Sequence, residues 1–166
     1  MPSDMDLHKD AGSAAQFRKV DLEYVAATAR AAKAGGAKHL ALVSSQGANA
    51  KLWANDWSIC HGLLYAQVKG LAEQATIKAG IPSTSIFRPG LLERGAKARG
   101  VESAFKNVVS SLPVSGLGQL MVLDAIKAAE KRKEQGGAPG AQETKFYEMN
   151  ELLKALKQGP RAPRAT

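Results

Sequence analysis

The sequence has a single cysteine, Cys60. That excludes an internal disulfide and fits a reducing compartment, the cytoplasm in the first instance or a complex within an organelle. Aromatic residues make up 5% of the chain. None alternates with a basic run, so the stacking platform of a nucleic-acid binder is missing and no nucleic-acid partner is expected. No apolar run approaches the roughly 20 residues of a membrane-spanning helix, so no membrane span is expected. The first twenty residues contain Asp4, Asp6 and Asp10 and no apolar core. They match neither a secretory signal nor an Arg-rich, acid-poor transit peptide.

What is present is ordinary for a globular domain. The chain has 166 residues, 45% of them hydrophobic, and a net charge of +8. One domain is the natural expectation. The excess charge is scattered rather than striped, as on a solvated surface.

Residues 1–12 read as an irregular lead-in and 159–166 as a flexible basic tail, with the folded domain over 13–158. A helix is expected over 13–34, with Leu22, Val25 and Ala29 on one face and Gly35-Gly36 as its stop. The run Leu40–Val43 is apolar at every position, as in strands buried on both faces. Residues 46–60 read as a loop, 62–79 as a helix closed by Gly80, and 83–88 (STSIFR) as a strand stopped by Pro89-Gly90. A basic loop over 91–100, helices over 101–111 and 119–133, a Gly/Pro loop over 135–143, a strand over 144–149 and a helix over 151–158 capped by Asn150 complete the chain. Alternating strands and helices imply an α/β domain: a partial Rossmann-type parallel sheet of about three strands flanked by helices.

Tyr65 and Lys69 lie one turn apart on the helix over 62–79 and share a face. A tyrosine that moves protons near neutral pH needs its phenolate favoured, and a nearby cation does that. Ser44 and Ser45 end the first strand, at the sheet edge where open α/β folds bind ligands. By itself the spacing Tyr-x-x-x-Lys is common, and two unconnected helix residues would produce it.

The order strand, Ser44-Ser45, loop, Tyr65-x-x-x-Lys69 on a helix, strand, Arg88-Pro89-Gly90 resembles the catalytic half of the short-chain dehydrogenase/reductase superfamily. The segments LEYVAATARAAKAGGAKHLALVSSQGA, LLYAQVKGLAEQA and SIFRPGLL resemble its Tat-interactive oxidoreductase-type branch. The resemblance covers residues 12 to 158. It implies an NAD(P)-dependent oxidoreductase, with NADP or NAD as cofactor. Tyr65 would be the general acid/base. Lys69 would favour its phenolate and hold the nicotinamide ribose, and Ser45 or Ser44 would bind the reacting oxygen. Pro89-Gly90, following Arg88, would carry backbone past the nicotinamide ring.

Two departures follow. The loop between Ser45 and Tyr65 is longer than the family's, with the extra residues in AKLWANDWSI. Trp53 and Trp57 either cover the site or pack locally. The glycine-rich turn that anchors a pyrophosphate is absent from these residues. Gly90, Gly95 and Gly100 have the wrong spacing for it. By the resemblance, the sequence begins after the family's fourth strand. The expectation is that the nucleotide-anchoring half is missing and that this chain alone does not bind the nucleotide. Strand 39–44 would then be an apolar edge needing cover from another protein chain or a large assembly. A non-catalytic structural or accessory subunit is the alternative reading. Cys60-His61 lack the spaced partners of a metal site, so no metal is expected. The basic loop 93–100 reads as a solvated connection, and the PRAPR tail carries no defined signal.

Overall fold

A computed structural model describes residues 14–53, 61–93, 111–136 and 141–159. The elements in chain order are α1 (Ala14–Arg18), a π-helical segment (Lys19–Tyr24), α2 (Val25–Ala34), β1 (His39–Val43) and α3 (His61–Lys78). After these come β2 (Ser83–Arg88), β3 (Leu91–Glu93), β4 (Ser111–Pro113), α4 (Val114–Glu134), β5 (Glu143–Glu148) and α5 (Met149–Lys157). They fall into two compact units. The first comprises Met1–Ala37 with Gly47–Ile81, the second Lys38–Gln46 with Pro82–Thr166.

The second unit contains a three-stranded parallel sheet in the order β1-β2-β5. Leu40 pairs with Thr84, and Thr84 with Thr144. Parallel neighbours need a crossover connection, and α3 lies in the connection between β1 and β2. The central strand β2 buries four consecutive residues, Thr84 to Phe87, as a strand flanked on both sides must. The expected class, a partial Rossmann-type parallel sheet with flanking helices, is what forms.

The core of this unit is Phe87, Leu112, Leu117, Met149 and Leu152, with Leu120, Met121 and Tyr147 packed around it. Phe87 and Tyr147 stack with ring centroids 4.7 Å apart, an offset arrangement favoured by the ring quadrupoles. Helix α5 starts at Met149, so Asn150 lies inside it rather than capping it. Its start is fixed instead by the Glu151 carboxylate, which accepts a hydrogen bond from the Glu148 N–H at 3.0 Å as in a capping box.

Three local differences have tertiary causes. Residues 91–93, expected as loop, form β3, and it pairs in parallel with β4 at 111–113. A three-residue strand has no periodicity to read and exists only because its partner is supplied from elsewhere. Helix α4 begins at Val114, five residues before the expected start, directly after Pro113 at the N-cap. The helix expected over 13–34 forms but is interrupted by the π-segment. Residues 1–13, 54–60, 94–110, 137–140 and 160–166 lie outside the described set. The readings of the lead-in, of Cys60 and Trp57, of most of the 93–100 loop, of most of the 101–111 helix and of nearly all of the tail fall there.

Candidate active site

In the first unit, Tyr65 and Lys69 lie on α3 with the expected spacing. The Lys69 ammonium sits 5.7 Å from the centroid of the Tyr65 ring, within cation–π reach. The other end of that ammonium is held by Asp21, whose Oδ1 accepts its hydrogen bond at 2.7 Å. Asp21 belongs to the π-segment. An extra residue in a helical turn redirects side chains, and such bulges recur at functional sites. Phe17 of α1 stacks on the Tyr65 ring, centroids 5.8 Å apart and planes 21° from parallel. Tyr65 remains 42% exposed, and among the described residues its hydroxyl has no partner. The ring is thus fixed by a stacked neighbour and a cation, while its hydroxyl has no bond to the described residues.

The loop before α3 is pinned to the helix. Asn49 N–H donates to the Ala66 carbonyl at 2.9 Å and Gln67 Nε2 to the Leu52 carbonyl at 2.7 Å. Gly70 makes this possible, since a Cβ there would lie 2.2 Å from the Ala50 nitrogen. Trp53, in the same loop, is 81% exposed, so it does not pack locally.

In the second unit, Ser44 and Ser45 follow β1 directly and are both buried. Ser44 N–H donates to the Phe87 carbonyl at 2.7 Å, and Gln46 N–H to the Pro89 carbonyl at 2.9 Å. These bonds tie the two strand-end loops together. The serines then differ. The Ser45 hydroxyl is buried without a hydrogen-bond partner, whereas Ser44 has one. Leaving a buried hydroxyl unpaired costs about 1–3 kcal/mol, a condition that Thr84 and Ser85 on β2 share. Gly90 lets the loops close, because a Cβ would meet Gln46 Oε1 at 2.8 Å. Arg88 is occupied: it pairs with Glu148 at 2.9 Å and lies over the Phe146 ring at 4.6 Å.

A polar cluster that the sequence reading missed lies on one face of this sheet. His39 Nδ1 is 2.9 Å from Ser83 Oγ, and His39 Nε2 is 3.3 Å from Asp124 Oδ2. The Tyr147 hydroxyl donates to Asp124 Oδ1 at 2.6 Å. Burial alone would raise the Asp124 pKa. Polar contacts from His39, Ser85 and Tyr147 and the charge of His39 outweigh it, bringing the carboxyl down to about 2. Burial, followed by bonding to Asp124 and its charge, pushes the Tyr147 phenol upward. Serine, histidine and aspartate stand here in the order of a nucleophilic relay. However, Ser83 N–H is spent on the Lys38 carbonyl and Glu143 N–H on the Pro82 carbonyl, so neither can stabilise an oxyanion. The cluster fastens α4 to the sheet. An aspartate inside the apolar run Met121–Ile126 was its one visible signal.

No protein-family model matches the chain. It is 35% identical over 158 residues to Protein FMP52-1, mitochondrial, of Scheffersomyces stipitis, covering 89% of this chain and 65% of that protein. It is 43% identical over 82 residues to Protein FMP52, mitochondrial, of Candida albicans, covering 49% of this chain and 32% of that protein. Protein HTATIP2 of Rattus norvegicus is 41% identical over 76 residues, 46% of this chain and 28% of that protein. The chain thus spans at most about two-thirds of the length of these relatives. The chain is thus similar to FMP52 and HTATIP2, proteins of the broad NAD(P)-binding, short-chain dehydrogenase-like family.

Proposed function

We propose that this chain supplies the reacting end of an NAD(P)-dependent oxidoreductase of the short-chain dehydrogenase type. The observation that carries the reading is Tyr65: its ring is clamped by Phe17 and Lys69, and its hydroxyl is uncommitted among the described residues. In this reading Tyr65 gives a proton to the carbonyl oxygen of a substrate, or takes it back from the alcohol. The Lys69 charge, oriented by Asp21, stabilises the negative charge that develops on the phenolic oxygen as the proton leaves. Ser45, with its unspent buried hydroxyl, donates to the substrate oxygen and is preferred over Ser44. A nicotinamide cofactor would supply the hydride. Lys69 and the Pro89-Gly90 backbone suit its nicotinamide end, but the glycine-rich pyrophosphate turn does not occur in these residues. Weak nucleotide affinity of the chain alone is therefore expected. Because the FMP52 relatives are labelled mitochondrial, a mitochondrial setting is the working assumption, testable by cell fractionation.

A second reading rests on β1. It stands at one end of the sheet order among the described residues, and its sequence HLALV carries no gatekeeper charge beyond His39. Here the chain is a non-catalytic accessory subunit whose edge is covered by another chain. Calorimetric titration with NADPH, paired with a carbonyl-reduction assay, separates the two. Saturable binding weaker than about 10 μM but detectable below about 1 mM, with turnover falling at least about a thousandfold in Tyr65→Phe while binding persists, supports the enzyme. No binding at about 1 mM, with a stable multimer by light scattering, rejects it in favour of the subunit.

A further inference from the structure

At the amino-terminal ends of β1, β2 and β5 lies a cavity of about 400 Å³, within the size range of small-molecule sites. We infer that it binds a soluble phosphate ester carrying an apolar group. This is independent of the oxidoreductase reading, since Ser45 and Pro89 stand at the opposite, carboxyl ends of the strands.

The cavity's cations come from three places in the chain. Lys38 precedes β1, Lys145 lies on β5, and Lys131, Arg132 and Lys133 sit in the last turn of α4. A helix C-terminus attracts cations by its dipole, which accounts for the α4 residues. It does not account for Lys38 or Lys145. Against these five cations the lining has one acid, Glu143. Its carboxylate accepts from Lys131 at 2.7 Å and lies 3.8 Å from Lys145. The Lys131 hydrogen bond and the nearby lysine charges hold its pKa below the usual range. The lining therefore keeps an excess of positive charge, carried mostly by lysines, which bind phosphate as mobile point charges.

The remaining wall is apolar. Ala125, Ala128 and Ala129 form a small-residue face on α4, opposite Pro82 and Ala141. Three alanines leave room where larger side chains would fill it. His39 and Ser83 border the same space and are joined to each other at 2.9 Å. A charged ring beside an alanine-lined wall selects an anion with an apolar body rather than a free inorganic ion.

The test titrates the full chain with 1-naphthyl phosphate, 1-naphthol and inorganic phosphate, followed by amide chemical shifts. The ester should bind below about 1 mM, with shifts centred on Ala125, Ala128 and Lys145, and more tightly than either fragment. Lys38→Gln with Lys145→Gln should weaken it at least about tenfold at an unchanged melting temperature. Glu143→Gln should strengthen it by about threefold, because it removes the competing carboxylate. Naphthol binding as well as the ester, shifts located elsewhere, indifference to the double substitution, or weaker binding in Glu143→Gln would each overturn the proposal.

Discussion

Two ionic groupings in this molecule look alike on paper and behave differently. Lys69 and Asp21 form a short pair with both side chains partly exposed, and the adjacent Tyr65 hydroxyl has no partner among the described residues. His39, Asp124 and Tyr147 form a part-buried set in which each member contacts another. The first arrangement holds a ring still and offers an atom to solvent. The second joins a helix to a sheet and offers little. The two groupings therefore differ in exposure and in what they hold in place, although His39 Nε2 and Asp124 Oδ2 also lack a hydrogen-bond partner. Among the serines, Ser45 and Ser85 each keep a buried hydroxyl without a partner, whereas Ser83 is bonded to His39.

That contrast can be broken by substitution. The largest effect is expected at Phe87, fully buried and stacked on Tyr147. Phe87→Ala should lower stability by about 3–5 kcal/mol in urea unfolding. Gly70→Ala comes next, because its Cβ would collide with backbone rather than with a flexible side chain. A loss of about 2–4 kcal/mol is expected. Gly62→Ala, at a position where a Cβ meets nothing within 4 Å among the described residues, should instead be neutral or gain up to about 1 kcal/mol. Equal melts for the two glycine variants would refute the packing account of Gly70.

The fastener should be legible in acid. Asp124 titrates at about 2 when folded, against 3.8 ordinarily. A depressed carboxyl stabilises the fold above its unfolded value and loses that contribution as pH falls through the folded one. The stabilisation is therefore complete above about pH 5 and drains away toward pH 2, worth about 2 kcal/mol in all. Urea midpoints across that window should fall in the native chain and fall less steeply in Asp124→Asn. The smallest effects belong to the candidate site. Asp21→Asn should cost no more than about 1 kcal/mol, as for other partly exposed pairs. Tyr65→Phe should change stability by less than about 0.5 kcal/mol, since its hydroxyl bonds to nothing that is described. A large loss in Tyr65→Phe would make Tyr65 a structural residue and remove the central support of the oxidoreductase reading.

Much of the fold was legible in advance because it rests on local patterns. The apolar run at 40–43, the helix with Tyr65 and Lys69 on one face, and the strand at 83–88 each announce themselves within a few residues. The short strands at 91–93 and 111–113 do not, since each is a strand only by virtue of the other. Of the candidate site, the residue types Ser, Tyr and Lys and their order along the chain could be read. Asp21 was not: it lies 48 positions from Lys69, and no local pattern distinguishes it from a solvated helix residue.

The sequence by itself determined the periodicities, and with them the alternation of helices and strands and the pairing of Tyr65 with Lys69 one turn apart. Side-chain spacing along a helix or strand is set by backbone geometry, so it needs no partner to be read. The tertiary structure alone decided which polar atoms are satisfied. It gave Lys69 to Asp21, Asp124 to Tyr147, and left Ser45 without a partner. Hydrogen bonding depends on atoms brought within about 3 Å by distant parts of the chain, and nothing in a linear order fixes that distance.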